Sequence, residues 1–259
     1  MSATRNPLAI VTGASRGIGR AIALRLARDG ATTLLTARDR QALDSVAHEI
    51  QSAGGRALVL ALDLRDPSAA GRLVEFAIES TSRIDILVNN AGATKRGDFL
   101  ALSDNDWADG FALKFFGAVR LTRAAWPHLK AHAGSVVQIS GIGGRTPGLE
   151  FTIGGSVNAA LLSFTKAIAD LGIADGVQVN AISPGAVRTD RLRIRLTRIA
   201  QEQQVNLAEA ERRFTKESGI ARVGEPEDIA ELVAYLVSPQ GRFLQGSLID
   251  IDGGQTKTI

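Results

Sequence analysis

The chain has 259 residues, 45% of them hydrophobic, enough for one sizeable α/β domain with its own core. Its formal charge of +3 contains no basic block and only 5% of its residues are aromatic, which sets nucleic acid aside as the main partner. Without cysteine it makes no disulfide, no thiolate nucleophile and no cysteine-held zinc site.

Residues 1–7 are polar and lack the apolar core of a signal peptide. No apolar run reaches the roughly 18 residues of a bilayer span, so a cytoplasmic protein without a membrane partner is expected. Leu8–Thr12 reads as a strand, and residues 17–29 as a helix with Gly30 at its C-terminal cap. Residues 32–37 form a second strand, 39–53 a second helix before Gly54-Gly55, and 57–63 a third strand. Residues 67–81 are a helix opened by proline. Strand 84–90, a long helix at about 107–131 and strand 135–140 follow. Next come helix 156–172, strand 177–183, a polar helical insertion at 191–218, helix 226–236 and a last strand at 247–252. Seven near-continuous apolar strands alternate with helices. That pattern predicts one Rossmann-type, doubly wound parallel sheet with helices on both faces, spanning residues 1–259 as a single domain.

Thr12-Gly13-Ala14-Ser15-Arg16-Gly17-Ile18-Gly19 lies between the first strand and the first helix. There the first glycine allows the turn, and the later ones let backbone and helix approach a pyrophosphate resting on the helix N-terminus. The second strand ends Thr36-Ala37-Arg38, with no acid before the arginine. An acid there would bind a ribose 2′-hydroxyl, whereas Arg16 and Arg38 suit a 2′-phosphate. The expected cofactor is therefore NADP(H), with NAD as the alternative, since Asp39 is also within reach of the ribose.

Asn89-Asn90-Ala91-Gly92 makes the pattern specific. With the glycine loop it resembles the short-chain dehydrogenase/reductase family. Further matches are Asp63-Leu64, where the family contacts adenine, and Ser140, where it keeps a catalytic serine. The stretch from Asn180 to Thr189 resembles the nicotinamide-side segment, with Pro184, Gly185, Val187 and Thr189 at the cofactor. Gly224-Glu225-Pro226 and Asp252-Gly253-Gly254 resemble C-terminal signatures. The resemblance implies hydride exchange between nicotinamide and a small carbonyl or alcohol substrate. It also implies a homotetramer or homodimer, with Ala159, Ala160 and Ser163 permitting close helix approach.

The chain departs from the family at its acid–base pair. The family places Tyr and Lys four apart on the helix after the fifth strand, and here Gly154 and Asn158 fall at those positions. The one tyrosine, Tyr235, lies elsewhere. The family's Asn, seven residues after a tryptophan, aligns with Lys114, counted from Trp107. The expectation is a relocated charge: Lys114 as acid or base, Ser140 bonding the substrate oxygen, and Asn158 on the nicotinamide ribose.

Lys95 and Arg96 border the pocket or a solvated loop; Glu150 has no assigned place, and Thr152 and Ser156 are poor acids. His48, His128 and His132 lie on helix surfaces without metal-ligand spacing, so no metal site is expected. Arg191, Arg193, Arg195, Arg198, Arg212 and Arg213 make the insertion, about 189–218, a basic lid suited to a carboxylate, a phosphate or a thioester. The alternative is a non-catalytic dinucleotide-binding protein, a sensor or structural partner that has lost the Tyr/Lys pair. A reaction without hydride transfer, such as dehydration or isomerisation, is the third reading.

Overall fold

The computed structural model describes residues 6–257. Strand β1 (Leu8–Thr12) is buried along its whole length. Its side chains alternate, Leu8 and Ile10 entering one apolar cluster, Ala9 and Val11 the other. Six strands join it in parallel: β2 (Thr32–Thr36), β3 (Arg56–Val59), β4 (Ile86–Asn89), β5 (Ser135–Ile139), β6 (Gln178–Pro184) and β7 (Leu248–Ile251). Their order is β3-β2-β1-β4-β5-β6-β7. The winding reverses between β3 and β4, which opens a crevice at the carboxyl ends of β1 and β4.

Helices α1 (Gly17–Arg28), α2 (Arg40–Ser52) and α9 (Pro226–Val237) cover one face through Ile22, Leu43 and Val233. Helices α3 (Ala69–Thr81), α5 (Gly117–Ala131) and α6 (Thr152–Asp175) cover the other through Leu73, Leu121 and Ala169. The segment expected to act as a lid is two helices, α7 (Asp190–Glu202) and α8 (Leu207–Glu217), packed on a small core of Leu192, Leu196, Phe214, Ile220 and Val223.

Several expected boundaries move. Helix α3 starts at Ala69, leaving Pro67 outside, because the Asp66 carboxylate accepts from Ser68 N and Oγ and holds a turn there. The ladder of β3 stops at Val59, although Leu60 N and Leu62 N still donate to the backbone of Leu35 and Ala37. Helix α6 begins four residues before Ser156 and takes in Gly154 and Gly155. Packing overrides their low helix propensity: the Phe151 ring and the Gly143 carbonyl press on those two positions. The long helix divides into α4 (Asp104–Phe111), one widened π turn (Ala112–Phe116) and α5. One helical run, Leu149–Asp175, is long and apolar enough to cross a membrane by length and composition, against the expectation that none would be. It carries α6, which packs on the sheet through Ala169.

Candidate active site

The glycine loop is shaped by contacts that leave no room for side chains. Gly13 has φ +66°, and a Cβ there would stand 3.0 Å from Ala91 Cα and Asn90 Nδ2. A Cβ on Gly19 would stand 2.2 Å from the Gly13 carbonyl oxygen. Asn90 Nδ2 donates to the Thr12 carbonyl at 2.9 Å, and the amides of Asn90 and Ala91 both donate to Thr12 Oγ1 at 2.9 Å. The Asn-Asn-Ala-Gly turn thus clamps the loop across the β1–β4 crevice. Helix α1 begins at Gly17-Ile18-Gly19 with no acidic residue in its first turn and no side chain capping it. Its backbone N–H groups, with Ser15 beside them, fit a dinucleotide phosphate. Thr189 closes the other side: its Cγ2 lies 3.2 Å from where a Gly17 Cβ would be. Pro184 ends β6, Gly185 N donates to Ile251 O at 3.0 Å, and Val187 is buried.

At the adenosine end Arg38 is exposed, and Arg16 meets Asp190 at 3.5 Å. The Asp39 carboxylate accepts from Ala42 N at 3.0 Å as the cap of α2, which occupies the one acid otherwise in reach of the ribose. Asp63 accepts from Arg65 N at 3.0 Å, and Leu64 is buried against Gly117.

At the other end Lys114 sits in the π turn, where the widened helix re-aims its side chain. Its stem crosses Gly92: a Cβ there would be 2.8 Å from Lys114 Cδ. Its Nζ donates to Asn158 Oδ1 at 2.6 Å and to the Ser140 carbonyl at 2.7 Å. An ammonium has three donors, so one N–H remains. Desolvation, then the charge of Arg191, pulls the Lys114 pKa down to about 7. Lys114, Ser140 and Asn158 are therefore together, as the sequence reading requires.

Ser140 is tied into the fold by its backbone and its side chain. The residue is buried; its N donates to Ile182 O at 2.8 Å, its hydroxyl to the Asn158 carbonyl at 3.1 Å, and its carbonyl accepts from Lys114. It is an anchor between β5 and α6, with its hydroxyl donating to the α6 backbone. Gly141 is the neighbour whose Cβ would face Asn158, 2.9 Å from Nδ2. At the place of the missing tyrosine, a Gly154 Cβ would stand 2.0 Å from Phe151 Cε2 and Cζ. The Phe151 ring fills that space, and the Arg96 guanidinium stacks on it, 4.0 Å from its centroid.

Phe151 and Gly141 were missed in the sequence. Arg96 borders the pocket, whereas Lys95 turns outward to Asp106 at 2.9 Å. Glu150 lies 3.9 Å from Arg198 of the lid, Thr152 Oγ1 is buried and unpartnered, and Ser156 is exposed. His48 and His132 are exposed and His128 is half-buried. Among the described residues no cluster of three His, Asp or Glu side chains is placed to hold a metal.

Residues 13–256 match the family model described as enoyl-(acyl carrier protein) reductase. The chain is 39% identical over 251 residues to an uncharacterized oxidoreductase of Mycobacterium tuberculosis, covering 96% of this chain and 92% of that protein. Among solved structures it is similar to the L-sorbose reductase of Gluconobacter frateurii complexed with NADPH and L-sorbose, at TM-score 0.94 and 30% identity, covering 98% of each chain. A short-chain oxidoreductase of Pseudomonas aeruginosa described as containing an atypical catalytic center is also similar, at TM-score 0.91 and 26% identity over 98% of each chain. With the glycine loop, the Asn-Asn-Ala-Gly clamp and the sheet order in place, these matches establish that the chain belongs to the short-chain dehydrogenase/reductase family.

Proposed function

We propose that this protein is an NADP(H)-dependent oxidoreductase that interconverts a carbonyl and an alcohol, with Lys114 as the acid–base group. The single observation that carries the reading is the Lys114 ammonium, held by two acceptors with one N–H left over and a pKa near 7. NADPH held by the glycine loop, Arg16 and Arg38 supplies the hydride. Lys114 gives its third proton to the substrate oxygen and is left as a neutral amine, which Asn158 and Ser140 keep in place. In the reverse direction the amine takes the proton from the alcohol. A pKa near 7 suits both directions at neutral pH.

Lys114 aligns with the family's Asn and Asn158 with its Lys. Their side chains touch at 2.6 Å, so exchanging the two residues leaves an ammonium and an amide sharing one place. That contact favours a rearranged catalytic centre over a decayed one. Ser140 is a positioning residue here, and Asn158 Nδ2 is the group offered to the nicotinamide ribose. The second reading, a dinucleotide-binding protein without turnover, draws on Gly154 and Asn158, which stand where the family keeps its tyrosine and lysine.

The test is NADPH absorbance with a panel of aldehydes, ketones and 3-oxoacyl thioesters. Removing a general acid costs about 10²- to 10⁴-fold. Lys114→Met is expected to lose that much turnover while NADPH still binds; wild type that binds NADPH and turns nothing over supports the second reading. The exposed small residues Ala159 and Ser163 on α6 suit a subunit contact, and sedimentation is expected to give a dimer or tetramer.

A further inference from the structure

Most arginines on this surface are neutralised. Arg20 pairs with Glu49 at 2.6 Å, Arg40 with Asp44 at 2.8 Å, and Arg188 with Glu211 at 2.7 Å. Several are not, and three of those lie close together, near Gly92 and Phe151. Among the described residues no carboxylate forms an ion pair with Arg96, Arg191 or Arg195; Arg198 pairs with Glu202 at 3.6 Å and with Glu150 at 3.9 Å, and the charge of Glu150 only partly offsets the cations around Arg96.

These cations repel one another. Although Arg96 is exposed when taken as a whole residue, its pKa is held below the usual guanidinium range by desolvation, then by the charges of Arg195 and Arg191. Like charges brought together in this way are unfavourable unless an anion joins them. Their orientation is fixed all the same. The Arg96 guanidinium lies over the Phe151 ring and that of Arg195 over the Phe214 ring, 4.7 Å from its centroid, so each is held by a ring contact that uses none of its N–H donors. Arg96 comes from the loop after β4, and Arg195 lies on α7 between Arg191, which reaches the Gly92 carbonyl, and Arg198, 3.9 Å from Glu150 beside Phe151, so the α7 face that carries Arg195 meets the loop that carries Arg96.

Arg191 is already engaged: it donates to the Gly92 carbonyl at 3.1 Å, and its charge reaches Arg16 of the glycine loop on one side and Lys114 and Arg96 on the other. Arg96 and Arg195 are left for the substrate. Phe151 links them to the chemistry, because the ring that carries Arg96 is the one occupying the space beside Gly154.

We propose that the substrate carries an oxyanion group, a carboxylate or a phosphate, besides its reacting carbonyl, and that Arg96 and Arg195 clamp that group while Lys114 addresses the carbonyl oxygen. The proposal rests on the reductase reading for the second half of that statement, and stands on the arginines alone for the first. A loop arginine and a lid arginine sharing one anion also close the lid over the substrate.

The experiment has two arms on the full-length protein. In the first, NADPH oxidation is followed with matched pairs: an oxo acid against its methyl ester, a phosphorylated ketose against the free ketose, and a coenzyme A thioester against the corresponding short thioester. The preferred pair identifies the source of the oxyanion. In the second, unreactive short-chain carboxylates and inorganic phosphate are titrated into the NADP-loaded protein by calorimetry. Hydrogen bonds to a charged group justify an effect of about tenfold to a hundredfold. The charged member of one pair is expected to show at least that advantage in kcat/KM. Arg195→Gln, an exposed position that does not threaten folding, and Arg96→Met are each expected to abolish it, with Arg96→Lys recovering part. Carbonyl reduction with equal kcat/KM for charged and neutral members, or with the preference intact in both arginine variants, overturns the clamp and leaves the reductase reading standing. Anion binding that depends on both arginines, in a protein that reduces nothing, upholds the clamp and overturns the reductase reading.

Discussion

The two ends of the crevice use glycine in opposite ways. In the loop after β1, Gly13 and Gly19 keep side chains out so that backbone meets backbone at the start of α1. At the far end, Gly141 and Gly154 keep side chains out so that other side chains move in: Asn158 beside the first, the Phe151 ring beside the second. At one end backbone groups make the contacts; at the other side chains do, and on the reading proposed above a charge is handed from α6 to the π turn without moving the sheet.

The sharpest way to break this contrast is to add a side chain at each end. Gly19→Val drives a side chain into the Gly13 carbonyl. An overlap worth about 3 kcal/mol weakens NADPH about 100-fold or more, to be read by fluorescence titration with the circular dichroism unchanged.

Gly154→Ala gives a smaller effect of a different kind. Helix propensity favours alanine by about 1 kcal/mol, whereas overpacking costs about 1–3 kcal/mol. A 2.0 Å approach to Phe151 makes the overlap win. The melting temperature is expected to fall by a few degrees, and the double variant with Phe151→Ala to recover part of it. For the same reason Gly154→Tyr with Asn158→Lys is not expected to restore the usual chemistry while Phe151 holds that space. NADPH binding unaffected by Gly19→Val, or Gly154→Ala more stable than wild type, would erase the difference between the ends.

The two ends also differed in how well the sequence could be read. The cradle was legible because the glycines at 13, 17 and 19 follow one another within a single strand-to-helix turn, and because the Asn-Asn-Ala-Gly segment that clamps it, although 78 residues away, carries a motif of its own. Lys114 and Asn158 were legible as positions, by counting from Trp107 and from the small residues after Asn158. What spacing could not give was the direction of each side chain. Ser140 continues the β5 row of Val136, which faces the α6 side, and strand alternation alone would have turned its hydroxyl that way. Phe151 three residues before Gly154 is a local signal too, one helical turn apart, yet the pair looks like a helix breaker until the ring is seen filling the gap. The stacking of Arg96 on Phe151 joins two loops 55 positions apart in sequence, and no local pattern announces it.

The smallest expected effect sharpens the adenosine end. Asp39 is engaged as a helix cap and Arg38 stands free of ion pairs among the described residues. Losing one guanidinium from a 2′-phosphate costs about 1.4 kcal/mol, a factor of about ten. Arg38→Gln is expected to lower the NADPH-over-NADH preference by that factor, measured as the ratio of kcat/KM. An unchanged ratio would leave Arg16 as the only reader of the phosphate.

The central claim is that the proton comes from Lys114. The direct measurement is the pH dependence of kcat/KM for wild type and Lys114→Met in both directions. Carbonyl reduction needs the ammonium, so its rate is expected to fall as pH rises through about 7; alcohol oxidation needs the amine and is expected to rise through the same range. Lys114→Met should lose both limbs and sit about 100-fold or more below wild type. A variant that keeps the wild-type rate, or keeps a limb near pH 7, would show that the proton comes from another group and contradict the account.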